Sequence, residues 1–138
     1  RSTLFPYTTL FRSIIDQERL VKDLTELSPE WNGYWLAEVD GQALGCIGGG
    51  MGEDGRANIY VLYVLPRAQR LGVGHALVRT LTDYQKSEHQ AVEQAVTVTE
   101  GNTLGISFYE KEGFGFENAT KNWIDSSQAR DLHYFRNI

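Results

Sequence analysis

The chain has 138 residues, a formal net charge of −5, and 41% apolar against 22% charged residues. That size and mix fit one domain with a real core, and the acidic balance argues against nonspecific nucleic-acid binding. No apolar run is long enough for a membrane-spanning helix and no signal peptide is evident, so a soluble cytoplasmic protein is the default expectation.

The first thirteen residues stand apart. Thr3-Leu4-Phe5-Pro6-Tyr7-Thr8-Thr9-Leu10-Phe11-Arg12-Ser13 resembles, residue for residue, the in-frame translation of a short-read sequencing adapter. On that reading residues 1–13 are non-native, the biological sequence starts near Ile14, and the native part is more acidic still, because Arg1 and Arg12 leave with the scar. The rival reading is an edge strand. Leu4, Phe5, Tyr7, Leu10 and Phe11 suit one, and Pro6 does not.

Ile14, Ile15, Leu20, Val21, Leu24 and Leu27 recur at helical spacing and predict an amphipathic helix that Pro29 ends. Trp31-Asn32-Gly33 reads as a turn. Residues 34–39 form a strand, Asp40-Gly41 a tight hairpin turn, and residues 42–51 a second strand. Gly45, Gly48, Gly49 and Gly50 weaken that second strand and point to bulging or close backbone approach. Within it lies Cys46, the single cysteine, which excludes an intramolecular disulfide and a cysteine-based metal cluster. His75, His89 and His133 lack metal-ligand spacing. Residues 52–55 turn the chain into a β-branched, aromatic run, Ile59-Tyr60-Val61-Leu62-Tyr63-Val64-Leu65, which reads as a buried strand that Pro66 ends.

The next six residues, Gln69-Arg70-Leu71-Gly72-Val73-Gly74, carry the strongest signal. They sit between that strand and a helix expected from about residue 72 to 88. Glycines let a backbone approach a ligand closely, and a helix N-terminus adds free N–H groups and partial positive charge, so the arrangement suits a phosphate. The dinucleotide fingerprint fails, because Leu77 stands where its third glycine belongs and no acidic partner follows at the right distance. A P-loop fails because His75-Ala76 follow Gly74. The spacing resembles instead the pyrophosphate loop Gln/Arg-x-x-Gly-x-Gly/Ala of the GCN5-related N-acetyltransferase (GNAT) superfamily.

After a strand over residues 91–99 comes Asn102-Thr103-Leu104-Gly105-Ile106-Ser107-Phe108-Tyr109-Glu110-Lys111-Glu112-Gly113-Phe114. This stretch resembles the same family's Asn-x-x-Ala-x-x-Phe-Tyr-x-x-x-Gly-Phe segment. The residues alone support a helix that Asn102 caps and Gly113 closes, with Leu104, Phe108 and Lys111 on one face. Short strands near residues 114–116 and 132–135 complete the pattern.

The resemblance implies an α/β (α+β) fold: a central mixed, mostly antiparallel twisted sheet flanked by helices and splayed at its central strands. Family members carry one more strand and helix ahead of Ile14. The expectation is therefore a single acetyltransferase domain over residues 14–138 with its first strand missing or replaced. It also implies acetyl-CoA as co-substrate, an amine acceptor, no metal, no nucleic-acid or membrane partner, and the homodimers common in the family.

Site roles follow residue by residue. The backbone of Leu71 to Ala76 (Gly72, Val73, Gly74 and His75 between them) would cradle the pyrophosphate, with Gln69 and Arg70 beside it. Arg70 either adds charge there or is a solvated surface arginine. Leu62, Tyr63 and Val64 would align the pantetheine arm, and a Leu62 or Val64 N–H would meet the thioester oxygen. Asn102 would contact the coenzyme arm or serve only as a cap, and Tyr109 would protonate the departing thiolate. Many members carry a glutamate where this chain has Asn58, and an amide takes no proton. Glu100 is the first alternative base, with Glu53 and Asp54 behind it. Tyr60 and Tyr63 read as core or substrate wall, and Cys46 as an acylated nucleophile lacks a histidine signature. Asn58 also leaves open a second reading, an acyl-CoA-binding module of the same fold without catalysis.

Overall fold

The computed structural model describes residues 2–6, 27–122, 124, 125 and 127–138. Among these described residues, seven strands form one sheet in the order β1-β2-β3-β4-β5-β7-β6. They are β1 (Ser2–Pro6), β2 (Tyr34–Val39), β3 (Gln42–Met51), β4 (Ala57–Val64), β5 (Glu93–Thr99), β6 (Gly115–Thr120) and β7 (Asp131–Asn137). Helix α1 (Val73–His89) links β4 to β5, and α2 (Thr103–Lys111) follows β5. All pairings are antiparallel except β4 with β5. A parallel pair needs a crossover, and α1 supplies it. The expected mostly antiparallel mixed sheet with flanking helices is what forms.

Within the adapter-like segment, Ser2–Pro6 runs antiparallel to β2 as an edge strand, from Ser2↔Val39 to Pro6↔Trp35. Pro6 is its last residue, the place where a missing N–H disturbs a ladder least. The helix expected from Ile14 onward lies outside the described residues. At the β2–β3 hairpin, Asp40 (φ 51°) and Gly41 (φ 76°) are both left-handed, as a type I′ turn requires.

The helices pack on one face of the sheet. Leu77, Val78 and Leu81 of α1 and Tyr109 of α2 join Trp35, Ala37, Ile47, Ile59, Val96 and Val98 in the main core. A smaller cluster on the opposite face holds Tyr34, Leu36 and Cys46, with Val61 against it. The glycine run of β3 is explained by close approach: a Cβ on Gly49 would collide with the Asn58 carbonyl oxygen, and one on Gly50 with that of Glu30.

Candidate active site

The site begins where the sheet opens. β4 and β5 pair only at Ala57↔Gln94, Asn58↔Ala95 and Ile59↔Val96, and the strands part beyond. Opposite, Gly49 pairs with Ile59 and Gly48 with Val61, so Tyr60 is an extra, bulged residue of β4. Leu65 N–H donates to Leu44 on the β3 side, at 2.8 Å. Peptide groups alternate along a strand, so those of Leu62 and Val64 point into the gap. Among the described residues no strand pairs with them there, which leaves a template for an extended ligand arm. Gln69 Nε2 reaches the Val64 carbonyl at 3.4 Å, so that end of the gap is tied to the glycine turn.

The chain leaves β4 through a 3-10 turn, Pro66–Ala68, and then takes two left-handed residues, Arg70 (φ 72°) and Gly72 (φ 80°). Gly72 is the N-cap of α1, with no side-chain cap and no acid in the first turn. The first N–H groups of the helix are therefore free of internal partners and carry its positive end. The cradle expected over residues 71–76 narrows here. Leu71 N–H already donates to Ala68 O at 3.3 Å and Ala76 N–H to Gly72 O at 3.0 Å, leaving Gly72, Val73, Gly74 and His75 as donors. Arg70 makes no ion pair among the described residues. The His75 ring turns to Glu112, with Nδ1 2.9 and 3.0 Å from its carboxylate oxygens.

The two motifs meet in space. A Cβ on Gly74 would stand 3.0 Å from the Phe108 ring and 3.7 Å from Val64 Cγ2. The absence of a side chain at Gly74 thus lets the α1 N-terminus, the end of β4 and α2 converge. Asn102 caps α2, its Oδ1 accepting from Gly105 N–H at 3.0 Å. The packed residues of α2 are Ile106, Phe108 and Tyr109; Leu104 is exposed. Tyr109 is 7% exposed, edge-on to Phe108 and Phe114 at 5.2 and 5.4 Å. Burial disfavours its phenolate and raises its pKa well above the usual tyrosine value. Its hydroxyl makes no hydrogen bond among the described residues, so it has a proton to give to a ligand.

The base candidates fare differently. Glu100 is gripped by Arg130, whose Nη2 lies 2.6 Å from Oε2. Those hydrogen bonds hold the carboxyl below the usual glutamate range and weaken it as a base. Asn58 Nδ2 donates to the Arg56 carbonyl at 3.1 Å. Tyr60 and Tyr63 are 53% and 37% exposed, so the core reading falls for both and a substrate wall remains. Cys46 is buried, and desolvation pushes its thiol up to about 12, which removes the thiolate a nucleophile needs.

One cluster went unforeseen. His133 on β7 lies between the hydroxyls of Thr97 on β5 and Thr120 on β6. The alternation Val96-Thr97-Val98-Thr99 marks the threonines as outward-facing, but pairing with a strand more than 30 residues later leaves no local signal.

Residues 4–116 match the Acetyltransferase (GNAT) family. An uncharacterised N-acetyltransferase of Methanocaldococcus jannaschii is 32% identical over 83 residues, 60% of this chain and 53% of that protein. The chain thus spans about half the length of this curated relative. Among solved structures, Ard1 from Thermoplasma volcanium is similar at a TM-score of 0.80 and 23% identity, covering 99% of this chain and 97% of that one. A GNAT family acetyltransferase from Elizabethkingia anophelis, solved with acetyl-CoA bound, gives 0.78 at 16% identity, covering 99% and 98%. The ribosomal-protein-S18-alanine N-acetyltransferase from Escherichia coli gives 0.77 at 16%, covering 100% and 94%. At these identities the likeness is one of fold.

Proposed function

The chain belongs to the GNAT acetyltransferase family, and on that premise we propose that it transfers the acetyl group of acetyl-CoA to a primary amine of a small molecule or protein. The activity is that of an acyl-CoA-dependent N-acyltransferase (EC 2.3.1.-), by direct attack without an acyl-enzyme. The observation that carries the reading is the gap between β4 and β5, which opens beyond Ile59↔Val96 toward the uncapped start of α1.

Each part of the gap has a task. The N–H groups of Gly72, Val73, Gly74 and His75 hold the pyrophosphate, with Arg70 adding charge. Leu62, Tyr63 and Val64 align the pantetheine arm by strand-like pairing, and a gap-facing N–H of Leu62 or Val64 meets the thioester oxygen as charge develops on it. Tyr109, kept protonated by burial, donates its hydroxyl hydrogen to the leaving sulfur as negative charge develops there. Asn102 spends its carbonyl oxygen on the helix cap, so only its amide N–H groups are left for the coenzyme arm. Glu100 remains a base only where Arg130 releases it.

A second reading, acyl-CoA binding without catalysis, has one observation in its favour: Asn58 stands where a carboxylate is expected. Two measurements separate the readings. Acetyl-CoA at about 100 times its Kd should stabilise the fold by about 2.7 kcal/mol, on the order of 8–10 °C in Tm, while NAD should give no shift. Thiol release from acetyl-CoA, followed with free lysine, spermidine and a tripeptide with an unblocked N-terminus, should depend on amine. A shift without amine-dependent release favours the binding module. No shift with acetyl-CoA rejects both.

A further inference from the structure

Acetyl transfer at this gap needs a taker for the acceptor's ammonium proton: Asn58 is an amide, Glu100 is held by Arg130, and Asp54 Oδ1 accepts from Arg56 N–H in the loop ahead of β4. Thr97 follows Val96, the last β5 residue paired with β4, and Tyr60 follows Ile59, its partner across the pair. Ile59 and Val96 point into the helix-side core, so alternation turns Tyr60 and Thr97 to the other face, where both are exposed. Thr97 therefore stands at the vertex of the gap. Its Oγ1 is 3.0 Å from His133 Nδ1, and His133 Nε2 is 2.8 Å from Thr120 Oγ1. Hydroxyl, imidazole and hydroxyl form one chain from the vertex to the edge strand. Hydroxyls donate or accept, so the chain holds with the ring neutral or charged. The other two histidines are engaged elsewhere, His75 with Glu112 and His89 with Asn32.

We propose that Thr97 and His133 take the acceptor's proton, an inference that rests on the acetyl-transfer reading above. One ammonium N–H bond breaks and its proton passes to Thr97 Oγ1 as the Thr97 hydroxyl proton passes to His133 Nδ1. The nitrogen keeps the electron pair and directs it at the thioester carbonyl carbon. Thr120 Oγ1 accepts from Nε2–H and holds the ring in that tautomer, and after the product leaves the imidazolium returns its Nδ1 proton through Thr97 to water, which restores the starting state. Thr97 touches the substrate; His133 acts through it and is a positioning residue. Base and acid then lie on opposite faces of the sheet, His133 on the outer face and Tyr109 in the helix-side core.

On the ring's face of the sheet, Glu93 of β5 and Asp131 of β7 share its alternation, and Arg56, just ahead of β4, stacks over Phe135 of that face and pairs with Glu117 of β6. Arg56 bridges Glu93 and Glu117 at 3.1 and 2.9 Å, and Asn122 Nδ2 lies 3.4 Å from Asp131. Across the gap, Tyr60 stands in the field of Asp54 and Glu30.

The test is the pH dependence of kcat for wild type, His133→Gln, Thr97→Val and Thr97→Ser, read by thiol release with the best amine of the same panel. Wild-type kcat should fall on the acid side through one ionisation. His133→Gln and Thr97→Val should lose that acid limb and turn over about 10²-fold more slowly, with the acetyl-CoA melting shift kept. Thr97→Ser, which retains the hydroxyl, should recover the limb. Thr97 is exposed and valine nearly its shape, so this pair carries the test even where His133→Gln fails to fold. A wild-type rate and acid limb in Thr97→Val overturn the relay alone. A wild type with neither melting shift nor thiol release overturns acetyl transfer, and the relay with it.

Discussion

Tyr109 illustrates how burial selects a chemical role. Packed between Phe108 and Phe114, its phenol stays neutral and can give a proton but cannot begin by taking one. Tyr109→Phe should therefore lower kcat by about 10²-fold and leave the acetyl-CoA melting shift in place; equal turnover would remove the residue from the mechanism. Cys46 shows the opposite outcome. With 1% of its surface exposed and its thiol pushed up to about 12, it should resist a thiol reagent in the native protein and react in denaturant. Rapid native labelling would reopen an acyl-enzyme route. At this scale the sequence was readable wherever the partner is local. Asn102 capping Gly105 N–H, three residues away, is such a case. Glu100 was opaque because Arg130, which disarms it, lies 30 residues on.

At the scale of elements, the start of α1 depends on two glycines for different reasons. Gly72 needs its left-handed φ of 80°, with nothing within 4 Å of where a side chain would go. Gly72→Ala should cost about 1 kcal/mol of stability and weaken acetyl-CoA binding by re-aiming the first N–H groups. Unchanged binding, measured by calorimetry, would detach that turn from the ligand. Behind the site, a buried polar network ties α1, β5, β7 and the end of α2 together. Arg136 donates to Gln94 Oε1 at 2.9 Å, to Thr82 Oγ1 at 3.1 Å and to Glu112 O at 2.5 Å, and stacks over Phe114 at 4.5 Å. Arg136→Met should destabilise the fold by roughly 2–3 kcal/mol in urea unfolding, because fully buried Gln94 loses a charged partner. None of this network is visible locally. The strands and helices from Tyr34 onward were, to within a few residues at their ends, since each rests on its own periodicity. What periodicity could not give was the length of the β4–β5 pairing, three residue pairs, which creates the gap.

For the whole molecule, charge and burial set a stability plateau. Glu100, Glu117 and Asp125 are held below their usual ranges, chiefly by hydrogen bonds from Arg130, Arg56 and Ser127. A depressed folded-state pKa means their contribution is present above the ordinary carboxylate range and is lost as pH falls through it. Tyr109 and Cys46 shift the other way, mainly by burial. The unfolded chain would release those protons near about pH 8.5 for cysteine and about pH 10 for tyrosine, so stability should fall as pH rises past them. A Tm series from pH 3 to about pH 10.5 should trace both limbs; a flat alkaline side would mean that the two groups are not buried neutral. That the sheet is mixed, mostly antiparallel and splayed was implied by the resemblance of two segments, residues 69–74 and 102–114, while its strand order was not legible, because pairing between distant strands leaves no periodic trace. Those segments converge on Gly74, Phe108 and Val64, and the convergence implies one ligand site. Calorimetric titration with acetyl-CoA tests this most directly. One saturable site per chain, unaffected by NAD, is the expected result; no heat of binding up to about 1 mM, at the upper end of ordinary substrate constants, would contradict it.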